Sequence, residues 1–187
     1  MEIVTVDRNG EKKVSIESYE CVERRAVRLT GSINSDMIDK VISKVEYLDL
    51  ISNDDIYIYI NSPGGVVTDG FALIDAVNRL KSNVIYVAQG QAASMAAFIL
   101  ASGKKGNRKA TPNTEIMLHQ VLGGMSGQAS DIELAARQIK KTKNKINSLL
   151  SEWTGKDVET IEKDTDRDYF MSAEEALAYG IIDEIVT

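Results

Sequence analysis

The sequence has little cysteine, histidine or proline. Its 187 residues include one cysteine, Cys21, and one histidine, His119. A lone cysteine excludes a disulfide within the chain and suits a reducing compartment. Cys21 stands beside Glu20, Glu23 and Arg24, where a thiol is either reactive or incidental. A lone histidine excludes a multi-histidine metal site and leaves any imidazole chemistry to His119. The two prolines are Pro63 and Pro112; no linker, repeat or low-complexity tract divides the chain, so one domain is expected. No run approaches the ~20 apolar residues of a membrane span. The start, MEIVTVDRNGEKK, lacks the basic and apolar regions of a secretory signal, so the expected location is cytoplasmic. There is no basic block, and the net charge is −6, which argues against nucleic acid and anionic membranes as main partners.

What is present alternates between two periods. TVDRNGEKKVSI places Asn9 and Gly10 between alternating runs and reads as a hairpin or flexible arm. RRAVRLTG, DIYIYIN, NVIYVA, TEIMLHQ and the terminal IIDEIV read as strands. In DIYIYIN both faces are apolar or aromatic, so one face is expected in the core and the other against a further surface. Between the strands lie helical patterns. One is NSDMIDKVISKVEYLDL, capped by Asn34 or Ser35; another covers about 68–80. A long helix runs from Ser130 or Asp131 to about Glu152, with Ile132, Ala135, Ile139, Ile146, Leu149 and Leu150 on its apolar side. A short helix follows Asp157, and a last one is boxed by Ser172 and Glu175 and closed by Gly180. Strands alternating with helices imply an α/β fold of βαβ units around a largely parallel sheet.

Ligands of open α/β sheets bind beyond the carboxyl ends of the strands. Three features fall there. GQAASMAAF, at 90–98, places Ser94 after a strand and before an apolar helix, with small residues upstream. A serine on such a tight turn has its hydroxyl pushed outward, and bulky neighbours would clash. The strict nucleophile elbow is not met, because Ala92 and Ala96 stand where it has glycine. The amide of Met95, at the helix start, favours developing negative charge. A second amide from the Gly65 region would complete an oxyanion hole. His119 ends the third strand. The structural alternatives are an N-cap for Ser94, an ordinary turn for Gly64 and Gly65, and a core role for His119. SPGGVVTDG matches neither a dinucleotide fingerprint nor a Walker loop. A triad also needs a carboxylate. The residues leave Asp164, Asp166 and Asp168 open, with Asp168 expected to be drawn against the core.

YINSPGG, GQAASMAAF, MLHQ, DIE and DTDRDYFMSAEEALAYGIID together resemble the proteolytic subunit of the ATP-dependent caseinolytic (Clp) protease, from about Tyr19 to the C-terminus. The resemblance implies the Clp-protease/crotonase α/β spiral, with an axial N-terminal arm at 1–18, a peptidase domain at 19–187 and a protruding handle at about 120–152. It implies two stacked seven-membered rings. It makes Ser94 the nucleophile, His119 the base and Asp168 the third member, with oxyanion donors at the amides of Gly65 and Met95. By the same resemblance VLGGMSGQ, with Gly123, Gly124, Met125 and Ser126, lies beside extended substrate, and Asp166 and Arg167 lie near the ring–ring contact. No cofactor or metal is implied within the chain; ATP would be used by a partner AAA+ unfoldase that delivers unfolded polypeptide.

The departures from the family pattern are Val121 in place of proline, Ala96 in place of glycine, and three polar residues in the unfoldase groove. Tyr57, Tyr59 and Val87 keep that groove apolar, while Arg79, Gln89 and Lys109 do not. Covering an unpaired charge there costs about several kcal/mol, so weak docking, or reliance on a paralogous ring, is expected. The alternatives to a peptidase are a scaffold subunit of a mixed ring and an acyl-CoA enzyme of crotonase type.

Overall fold

The structure, a computed structural model, describes residues 2–7 and 10–187. β1 (Glu2–Asp7) and β2 (Gly10–Ser15) pair antiparallel, with Asp7 opposite Gly10. The expected hairpin is therefore present, although Asn9 lies outside the described residues. Ser15 then caps α1 (Ile16–Glu23) by accepting the Ser18 amide at 3.0 Å. The sequence reading missed α1 because its only fully buried residue is Cys21, too little for a periodic signal. Burial pushes the Cys21 thiol pKa up, which makes it inert rather than reactive.

The body follows as β3 (Ala26–Thr30), α2 (Ser35–Ile51), β4 (Ile56–Ser62), α3 (Val67–Arg79), β5 (Val84–Ala93) and α4 (Met95–Ala101). It continues through β6 (Arg108–Ala110), β7 (Glu115–Leu118), α5 (Ala129–Thr154), α6 (Val158–Asp164), β8 (Tyr169–Met171), α7 (Ala173–Tyr179) and β9 (Glu184–Ile185). Asn34, not Ser35, caps α2, its Oδ1 accepting the Met37 amide at 3.0 Å. Ser172 and Glu175 form the expected capping box. β6 was not legible: it is three residues long and two of them are basic.

β3, β4, β5, β6 and β9 lie side by side and parallel. β5 serves two neighbours. Tyr86, Val87 and Ala88 pair with β6, while Gln91, Ala92 and Ala93 pair with β7. The register between β4 and β5 shifts after Ile60, so Ser62 stands opposite Ala92. Such an irregularity bends a strand, and here it carries the end of β5 away from β6 to β7. β8 closes this side antiparallel to β7.

Ile56, Ile58 and Ile60 are fully buried on one face of β4. Tyr57 and Tyr59 on the other face are half-buried, with rings stacked 6.4 Å apart. Every residue of α4 is buried; cutting such a side chain to alanine, as in Ile99→Ala, costs about 2–5 kcal/mol. The long helix differs from expectation. Only Asn147 and Leu150 of α5 are fully buried, while Ile132 and Leu134 are exposed. Its apolar stripe serves the chain's own core only near its C-terminal end.

The closing strand is fastened by a buried ion pair. Arg108 donates through Nε to Asp183 Oδ2 at 2.8 Å and through a terminal nitrogen to the Trp153 carbonyl at 2.9 Å. Burial alone would raise the Asp183 pKa, but the bonds from Arg108 and from the Gly106 amide outweigh it and hold the carboxyl below its ordinary value.

Candidate active site

Parallel strands bring the ends of β4, β5 and β7 to one edge of the sheet, and each is followed within two residues by one singled out above. Ala93 is registered opposite Met117, and the Ser94 amide donates to the Met117 carbonyl at 2.8 Å. His119 follows two residues later. The pairing of β5 with β7 is thus what places the serine turn beside the imidazole.

Ser94 has φ 55° and ψ −123°, a left-handed conformation rare for a residue with a side chain. It occupies the N-cap position of α4, yet its side chain makes no cap bond. The capping role considered from sequence is therefore absent. Between Ala92 and Ala101, Ser94 alone is not buried, so its hydroxyl is the group this turn presents.

The β4 loop meets the same turn. Gly64 has φ 91° and Gly65 φ 151°, conformations that favour glycine. Around Gly65, Ile33 donates to the Gly64 carbonyl at 2.8 Å and accepts from the Val66 amide at 3.0 Å. Those bonds use the residues flanking Gly65, whose own amide has no partner among the described residues. The Met95 amide, first in α4, is likewise unpartnered. The two residues with unpartnered amides and Ser94 line one cavity.

That cavity is about 350 Å³, and its lining includes Gly65, Ser94, Met95 and His119. Val67, Phe98, Leu118, Ile146 and Leu150 give it an apolar lining, and Gln120, Val121 and Leu122 also border it. Phe98 is packed edge-on against Phe71 and tilted against Trp153. The apolar wall and Gln120 were missed as site residues. Phe98 and Leu118 were hidden in apolar runs, and Ile146 and Leu150 were read only as a helix face.

His119 Nδ1 lies 2.5 Å from the Gln120 main-chain oxygen. A carbonyl only accepts, so Nδ1 carries a proton, which in the neutral ring leaves the lone pair on Nε2. Among the described residues no hydrogen bond joins His119 to Ser94 or to Asp168. Asp168 borders a second hollow, about 460 Å³, that His119 shares with Gln120, Leu122, Asp166 and Arg167. The expectation that Asp168 is drawn against the core is corrected: it is exposed. Asp164 is the one drawn in, because the half-buried space beneath α6 offers it the Tyr179 hydroxyl at 2.9 Å. Asp166 and Arg167 are exposed, their charges 3.7 Å apart. Gly123, Gly124, Met125 and Ser126 lie exposed in an unpaired segment and are not part of the cavity wall.

A chain of this fold, with this edge, matches the family model for Clp protease over residues 9–187. It belongs to the Clp protease family. Membership makes the chain a peptidase-family protein and agrees with the single α/β domain. None of the helices among the described residues of this Clp protease family member is long and apolar enough to cross a membrane. No group of histidine, cysteine and carboxylate residues among them is arranged to hold a metal ion.

Proposed function

We propose that this Clp protease family member is a serine endopeptidase subunit. Ser94 is the nucleophile, His119 the general base, Asp168 the carboxylate that orients it, and the Gly65 and Met95 amides the oxyanion donors. The observation that carries the reading is the single cavity lined by Ser94, His119 and the two residues with unpartnered amides, Gly65 and Met95. His119 Nε2 would take the Ser94 proton as Oγ attacks a peptide carbonyl. The two amides would stabilise the oxyanion, His119 would return the proton to the leaving amine, and water would then release the acyl group. The apolar wall suits an apolar side chain of the substrate.

The 123–126 segment offers main-chain groups to an extended substrate, as an added strand would use them. Subunits would stack as two seven-membered rings, with Asp166 and Arg167 at the ring–ring contact. A separate AAA+ unfoldase would use ATP and deliver unfolded chains, so this chain needs no cofactor of its own; the cytoplasm is the fitting location. Arg79 lies 3.6 Å from Glu46, and Lys109 lies 2.6 Å from Glu184. The groove charges are thus paired within the chain, which corrects the premise that docking would bury unpaired charge. Docking would instead cover two ion pairs, still a penalty relative to apolar residues.

The test is turnover of a short fluorogenic peptide by the assembled protein and by Ser94→Ala, together with fluorophosphonate labelling and particle size. Turnover that persists in Ser94→Ala would refute the serine reading. One observation favours a second reading, a scaffold subunit of a mixed ring: His119 is bonded to Gln120 rather than to Ser94 or Asp168. Wild type that stays inactive and unlabelled as a homomer but supports an active paralogue would establish it.

A further inference from the structure

Gln120 touches both sides of the space between His119 and Asp168. Its side-chain Nε2 donates to the Asp166 main-chain oxygen at 2.9 Å. Its own main-chain oxygen accepts the His119 Nδ1 proton at 2.5 Å. We propose that Gln120 is a positioning residue of this site, coupling the placement of the 166–168 segment to the orientation of the His119 ring. The inference rests on the serine-peptidase reading above.

The Nδ1 proton is single, so the Gln120 carbonyl and the Asp168 carboxylate compete for it. Gln120 and Asp168 line the same hollow as His119. Exchanging one for the other requires the Gln120 carbonyl to turn away while the segment bearing Asp168 comes in. The Gln120 side chain is fastened to Asp166, two residues before Asp168, so the two movements are mechanically one. Without that tether the 166–168 segment is held to the strand that carries the base only through the Leu118–Tyr169 pairing of β7 with β8, and Asp168 reaches Nδ1 less often.

The experiment compares Gln120→Met, of similar length without a donor, and Gln120→Glu, similar in shape without a donor, in the assembled full chain. We expect kcat on a fluorogenic peptide to fall about three- to tenfold in each, with KM held within about twofold. Fluorophosphonate labelling of Ser94 should slow by the same factor. In an Asp168→Ala background, read by the labelling rate, the Gln120 change should cause no further loss, because nothing remains to be positioned. An unchanged kcat, or the same loss repeated in the Asp168→Ala background, would overturn the proposal. So would failure of both variants to form wild-type particles, which makes the role purely structural. Ser94→Ala is run alongside: its activity reports on the serine reading, and with it inactive the Gln120 arms report on this inference alone.

Discussion

Gly64 packs so closely against Ser94 that no side chain fits between them. A β-carbon on Gly64 would stand 2.7 Å from Ser94 Cβ, 2.6 Å from the Ala93 oxygen and 2.9 Å from the Met95 nitrogen. Atoms essentially never come that close, and these are main-chain or first side-chain atoms that cannot swing aside. Gly64→Ala must therefore push the β4 loop away from the serine turn, besides straining a residue at φ 91°. We expect peptidase activity to fall at least about 100-fold, the scale of losing an oxyanion donor. Activity within threefold of wild type, measured as kcat/KM on a short peptide, would contradict this close fit.

Ser94 itself is strained at φ 55°. A residue with a β-carbon held there costs on the order of 1–2 kcal/mol. Ser94→Gly should therefore abolish turnover while raising stability by about 1 kcal/mol, whereas Ser94→Ala should abolish turnover without that gain. Urea or thermal unfolding of the two variants separates them. Equal stabilities would mean the backbone strain is absent.

The Arg108–Asp183 pair gives a pH signature. Both side chains are nearly buried, at 4% and 13% exposure, so removing one partner leaves a buried charge. Asp183→Asn is expected to cost about 3–5 kcal/mol at neutral pH. The folded-state pKa of Asp183 is depressed, so its contribution is complete above the ordinary carboxylate value and is lost as pH falls through the depressed one. The stability gap between wild type and Asp183→Asn should therefore narrow from about pH 4 downward. Denaturant midpoints at pH 7 and below pH 4 check it; a gap independent of pH would remove the carboxylate from the explanation.

For the proposed unfoldase groove, Lys109→Leu should improve docking. It replaces a paired lysine with apolar surface beside Val87, which stands between Lys109 and the half-buried Tyr59. We expect ATP-dependent degradation to saturate at about tenfold lower unfoldase concentration, roughly 1.4 kcal/mol of docking energy. Peptide turnover without unfoldase should stay the same. No change in the saturation point would place Lys109 outside the contact.

Much of the architecture was legible because it rests on local patterns. The alternation of Ile56, Ile58 and Ile60 marks a strand with one core face. The Ser172–Glu175 box marks one helix start, and the Asn34–Ser35 pair marks another, with the structure choosing Asn34 as its cap. What was not legible lacks such a pattern. α1 buries one residue, β6 is three residues long, and the exposed apolar side chains of α5 look in sequence like a core-facing stripe.

The candidate site divides the same way. The sequence by itself determined that there is one imidazole, that one serine sits on a small-residue turn between a strand and a helix, and that glycines follow the neighbouring strand. Those are properties of residue type and short-range spacing. Only the tertiary structure decided that the end of β5 leaves β6 for β7, which brings Ser94 beside His119. It also decided that the His119 proton goes to Gln120 while Asp168 stays exposed. Those outcomes depend on strand register and loop packing between residues far apart in the chain, which no local pattern encodes.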